Sequence, residues 1–128
     1  MLDFLIIFFG KLFTFFSQKF NLGNGSTWPG HIALSAKESF IEDILKKSKT
    51  KVIVIAGTNG KTTTGKLLSS VLSNNNYKTF RNSAGANLLN GLASTLIEGS
   101  NLFGKLNFDY LIFEADENAV SAEPGVSK

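Results

Sequence analysis

The residues best suited to chemistry lie together at Gly57-Thr58-Asn59-Gly60-Lys61-Thr62. They follow a short β-branched run, Val52-Ile53-Val54-Ile55, and precede a stretch with helical spacing. A glycine-rich turn between a strand and a helix aims several backbone N–H groups at one point. The helix N-terminus adds the positive end of its dipole, so such a turn attracts phosphate. Gly57 and Gly60 supply backbone freedom and leave no side chain in the way. Lys61 can reach β- and γ-phosphates as a point charge, and the Thr62 hydroxyl is placed to ligate Mg²⁺. The expected chemistry is binding of ATP with its magnesium ion. The general phosphate-loop pattern places a glycine five residues before Gly60. Ile55 stands there, still in the strand, so the match is to a shortened variant. The competing reading is a chance Gly-Lys-Thr in a surface turn. The strand before and the helix after favour the phosphate loop.

The flanking pattern predicts the elements that hold this turn. Val52 to Ile55 reads as a strand buried on both faces. Thr63 to Ser73 carries Leu67, Leu68, Val71 and Leu72 at helical spacing, and Asn74-Asn75-Asn76 stops that helix. Tyr77 to Arg81 reads as an edge-like strand. Leu88, Leu89, Leu92, Ala93, Leu96 and Ile97 form the clearest amphipathic helix, and Tyr110-Leu111-Ile112-Phe113 a third buried strand. Strand, helix, strand, helix, strand predicts an α/β fold, a phosphate-loop-type parallel sheet with flanking helices. Upstream, the glycines and proline of Asn21 to Gly30 mark a loop, with Trp28 as its anchor. A helix follows, with Ser39 and Glu42 at capping-box spacing and Phe40, Ile41, Ile44 and Leu45 on one face. Lys46 to Thr50 ends it, lysines there suiting the helix dipole. The divisions expected are an apolar helix over 1–20, a linker and helix over 21–50, and a nucleotide-binding unit over 51–128.

A chain of 128 residues suits one domain, and its 43% hydrophobic content can build a core. It has no cysteine, which excludes disulfides and thiolate metal sites and fits a reducing cytoplasm. A net charge of +3, with scattered basic residues, is too mild to point to nucleic acid. Phenylalanines crowd before residue 21. At about 100° per residue, Asp3, Gly10, Lys11, Thr14, Ser17 and Gln18 share a narrow polar sector, and Leu, Ile and Phe fill the rest. Lys11 interrupts a membrane span. Asp3 and the lack of an A-x-A site speak against a signal peptide. A helix lying on a membrane surface, or packed on a partner, fits the stripe. An ordinary core helix is the alternative.

Ala56-Gly57-Thr58-Asn59-Gly60-Lys61-Thr62-Thr63-Thr64 resembles the ATP-binding motif of the Mur ligase family, which shortens the general pattern in the same way. Three further stretches resemble the MurT-type subunit of lipid II isoglutaminyl synthases: Trp28 to Ala33, Arg81 to Leu89, and Phe113-Glu114-Ala115-Asp116-Glu117. The resemblance covers residues 10 to 118. It implies an ATP-dependent carbon–nitrogen ligase of peptidoglycan precursor synthesis. In that chemistry the γ-phosphate passes to a carboxylate, and a nitrogen nucleophile attacks the acyl phosphate. It further implies lipid II as substrate, its D-glutamate being amidated. A glutamine amidotransferase subunit is the implied partner, and the inner face of the cell membrane the implied location. Gly57, Thr58, Asn59, Gly60, Lys61, Thr62 and Thr63 would bind ATP, with Lys61 the catalytic cation. Glu114 matches the family's magnesium-binding glutamate and would share Mg²⁺ with Thr62; a surface acid at a strand end is its bland reading. Asp116 and Glu117 are weaker acids nearby. Asn87 would contact substrate, or else cap the helix that starts at Leu88.

The family's chains run several hundred residues further, and the subgroup's zinc-binding cysteines lie in that part. After Asn118 the resemblance ends. The expectation is that this chain alone does not ligate. Three alternatives stay open: another Mur-type ligase, adding an amino acid to a cell-wall precursor or a glutamate to folate; a P-loop NTPase module without ligase chemistry; and a non-functional remnant.

Overall fold

A computed structural model describes residues 1–20, 28–83 and 88–118. In chain order the elements are α1 (Leu2–Lys19), α2 (Trp28–Ala36), α3 (Phe40–Ser48), β1 (Lys51–Gly57), α4 (Lys61–Asn74), β2 (Thr79–Ser83), α5 (Leu88–Gly99) and β3 (Tyr110–Asp116). The three strands form one parallel sheet in the order β1-β3-β2. This is the α/β arrangement that the alternating pattern predicts, with β2 at an edge as expected.

Strand β3 divides the molecule. Successive residues of a strand point to opposite faces. Leu111, Phe113 and Ala115 enter a core built with Ile7, Ala33, Phe40, Ile44, Ala93, Leu96 and Ile97, from four helices. Glu114 and Asp116 belong to the other face, toward α4.

Three expectations change. Val52 to Ile55 is not buried on both faces: β1 lies at the sheet edge and Val54 is 44% exposed. Burial on both sides falls instead to β3, the strand with a neighbour on each side. Trp28-Pro29-Gly30 is not loop but the first turn of α2, where a proline loses no helical hydrogen bond. Residues 21–27 lie outside the described residues. Trp28 is 60% exposed, its ring 6.2 Å from that of His31, and the loop it was expected to anchor falls in that stretch. The Ser39–Glu42 capping box does not form. Ser39 has φ −81° and ψ 8°, outside the extended region that a capping hydroxyl needs, and it donates instead to Asp43 Oδ2 at 2.9 Å.

Gly30 works by absence of a side chain. Its N–H donates to Ser94 Oγ at 2.8 Å, and a Cβ there would sit 1.8 Å from the Asn90 carbonyl oxygen on α5. A backbone atom cannot swing aside, so Gly30→Ala must push α2 from α5. The expected loss is about 1–3 kcal/mol or more, read by urea unfolding.

Lys37 ties three helices at the surface, with Nζ 2.8 Å from Asp3 Oδ1 and 2.7 Å from Asp43 Oδ2. Its hydrogen bonds to Asp3 and then Asp43 raise its own pKa, and the bond from Lys37 lowers that of Asp43. The Asp43 contribution is therefore present above the ordinary carboxylate range and is lost as pH falls through the lowered value. Lys37→Met should return the Asp43 carboxyl toward its ordinary titration range, followed by carbon-13 NMR.

Candidate functional site

The site is made where three carboxyl ends meet one helix N-terminus. Register pairs Ile55 with Glu114 and Gly57 with Asp116, so the end of β1 lies beside the two acids of β3. The turn Thr58 to Gly60 then starts α4. Gly60 is its N-cap at φ 76°, a left-handed conformation that glycine adopts without strain. No side chain caps this helix and its first turn holds no acid. Its leading N–H groups thus have no competing side-chain cap.

Lys61 opens the helix and bends back over the turn. Its Nζ donates to the Gly57 carbonyl at 2.7 Å and to Asp116 Oδ1 at 2.8 Å. Thr62 Oγ1 donates to Glu114 Oε2 at 2.9 Å. Glu114 is 5% exposed, an acid taken almost wholly out of water. Burial of a carboxylate is costly unless it is paired. Two groups answer that cost: the Thr62 hydroxyl and Arg81, whose Nε lies 3.6 Å from Glu114 Oε1. The Arg81 Nε is itself buried without a hydrogen-bond partner, so its compensation is charge alone.

The structure thus brings Lys61, Thr62 and Glu114 to one place, with Gly57 to Gly60 around them and Thr63 one residue further along α4. Asp116 is nearer the centre than its sequence position suggests, since it holds the Lys61 ammonium. Asn87 and the neighbouring 84–86 stretch lie outside the described residues. Two residues escaped the sequence reading. Arg81 faces Glu114 because β2 is the neighbour of β3, a pairing that local spacing does not reveal. Gly65 reads as an ordinary helix residue, yet a Cβ on it would meet Glu114 Oε1 at 2.8 Å. A glycine costs a helix interior about 1 kcal/mol against alanine. That cost at Gly65 is the one signal the sequence carries for this close approach.

The oxygens present fit a hard cation. Cis ligands of an octahedral Mg²⁺ at 2.0–2.1 Å stand about 2.9 Å apart. Thr62 Oγ1 and Glu114 Oε2 have that separation already, at 2.9 Å. Among the described residues no group of three or more His, Cys, Asp or Glu could enclose a metal. Magnesium beside phosphates needs only one or two carboxylates, the rest of its shell being phosphate oxygen and water.

Comparison with known proteins supplies the relationship. The chain is 32% identical over 100 residues to the MurT subunit of the lipid II isoglutaminyl synthase (glutamine-hydrolyzing) of Streptococcus pneumoniae. It is 35% identical over 99 residues to the subunit of the same name from Staphylococcus aureus strain COL. This chain is MurT-like. The matched stretches are 78% and 75% of the present chain but only 22% and 21% of those MurT chains, so it spans about a fifth of their length. No family model matches the chain, and no solved structure matches it at a significant level.

Gly65→Ala tests the packing around the carboxylate. The obstructing atom is the far end of a side chain, so Glu114 can turn away while α4 stays. Stability should remain within about 1 kcal/mol of wild type in urea, helix propensity offsetting the shift. The Glu114 carboxyl carbon-13 resonance should move, as should the Thr62 methyl that reports its partner.

Proposed function

We propose that the chain is the ATP-binding portion of a Mur-type carbon–nitrogen ligase in peptidoglycan precursor synthesis. The observation that supports this most is the meeting of Lys61, Thr62 and Glu114 at the carboxyl ends of parallel strands, on a MurT-like chain. Ligand sites of open α/β sheets gather at those ends.

In this reading the contacts seen at the site are replaced one for one. The ammonium of Lys61 exchanges Asp116 for phosphate oxygens, keeping the Gly57 carbonyl as its anchor. The backbone N–H groups from Gly57 to Thr63 surround the phosphates, with the α4 dipole behind them. Thr62 and Glu114 would hold Mg²⁺, which when bound offsets the charge of the β- and γ-phosphates. Arg81 stands on the other side of Glu114 from Thr62, its Nε 3.6 Å from Oε1. The reaction class moves the γ-phosphoryl group to a carboxylate and lets nitrogen displace it. The substrate proposed is lipid II, amidated at its D-glutamate. The ammonia would come from a partner glutamine amidotransferase subunit, and the work would be done at the cytoplasmic membrane face.

Binding of a fluorescent ATP analogue, with and without Mg²⁺, tests the core of this. A charge-assisted hydrogen bond is worth roughly 1.5–3 kcal/mol, so Lys61→Ala should weaken binding about 10- to 100-fold. Thr62→Val should remove the gain from Mg²⁺ while leaving metal-free binding in place. Equal binding by wild type and Lys61→Ala, both shown folded by circular dichroism, would sink the proposal.

A further inference from the structure

The N-terminal helix buries a narrow side made of Ile6, Ile7 and Gly10, flanked by Asp3 and Lys11, and turns its phenylalanine-rich side outward. Asp3 pairs with Lys37, and the Lys11 ammonium donates to the Glu98 carbonyl at 3.1 Å. Gly10 lets α1 lie so close to α5 that a Cβ on it would be 2.9 Å from Ile97 Cγ2. Burial lowers the Lys11 pKa, as expected for a cation taken into this seam. The consequence is on the outside. Phe8 and Leu12 point away from the core, and Phe15 is 60% exposed. Outer rings pack on one another along the helix, Phe4 on Phe8 and Phe16 on Phe20.

Two features continue this face. Between α1 and α2 runs a groove of about 350 Å³, walled by Phe9, Leu12, Phe13, Phe16, Pro29 and Ile32 among others, with almost no polar lining. At the other end Phe103, 74% exposed, meets Phe4 with ring centroids 6.2 Å apart. Lys47, Lys105 and the Met1 residue gather around that pair. Lys19 ends the helix. Asp3 at this end pairs with Lys37, and Glu98 beside Phe15 stands with Lys11. No described helix is long and apolar enough to cross a membrane.

We infer that the outer face of α1, with Phe103 and the α1–α2 groove, is a docking surface for an anionic lipid bilayer. An interfacial helix buries Phe and Leu at the acyl boundary while lysines at its rim meet headgroup phosphates. The groove takes the end of an acyl chain. The basic rim selects this occupant: a second copy would place the same lysines against one another, whereas an anionic leaflet satisfies all of them. The inference deepens the membrane-face reading above and rests on it for its purpose. It places the phosphate-binding turn on a chain held flat at the surface from which a lipid-linked substrate would be presented.

Cosedimentation of the full chain with vesicles tests it, without nucleotide, so that the outcome is independent of the ATP reading. Vesicles of equal phosphatidylglycerol and phosphatidylcholine should carry the protein down, and high salt or phosphatidylcholine alone should release it. The Phe8→Ser/Phe15→Ser pair, outward on α1 and absent from the core, should bind roughly tenfold more weakly or worse. Lys19→Glu/Lys105→Glu should do the same through charge, and serves if the first pair unfolds. Failure of wild type to sediment, or equal sedimentation by both variants, overturns the inference. So does a lipid-free dimer in sedimentation velocity that the Phe pair dissolves while vesicle binding is absent. If vesicles bind and ATP does not, the docking surface stands and the ligase reading falls.

Discussion

The alternation of β3 is the constraint on which the rest of the structure depends. One strand must satisfy a dry helical core on one face and a charged site on the other. Leu111, Phe113 and Ala115 fill the first role, all fully buried. Glu114 fills the second while almost as deeply buried. A register slip of one residue would exchange the two sets and put a carboxylate into the apolar core. The parallel pairing of β3 with both neighbours prevents that slip and sets which side chains can meet at the carboxyl ends.

The site follows from that register as a set of compensations. Glu114 is out of water, so Thr62 and Arg81 attend to it. Lys61 lies over the turn, so Asp116 and the Gly57 carbonyl attend to it. Gly65 gives the space in which Glu114 fits under α4. Burial distinguishes the Thr62–Glu114 contact from a surface ion pair. Surface pairs contribute little to stability; here the carboxylate is buried and the pairing is obligatory.

Specific inward contacts also place α1. Ile6, Ile7 and Gly10 are buried, while Asp3 pairs with Lys37 and Lys11 donates to the Glu98 carbonyl. The apolar face is what remains, and it adjoins other exposed apolar residues at Phe103 and Ile32.

Much of this was legible beforehand. The turn from Gly57 to Thr62, the helix after it and the third strand were read from local signals: glycine spacing, β-branched runs and helical periodicity. These depend on residues a few positions apart, and local sequence states them directly. What local sequence could not state was which strand is central, because that is decided by pairing between segments far apart in the chain, Lys51 with Tyr110 and Thr79 with Tyr110. Hence β1 was expected to be buried and proved to be an edge. Hence also Arg81 was unseen as the partner of Glu114, and Trp28-Pro29-Gly30 was taken for a loop until α5 gave that tight turn a surface to pack on. The chemistry of each residue was the sequence's to determine. Which of them stand within 3 Å of one another was decided only when β3 took the middle of the sheet, since burial and register are properties of the assembled layers.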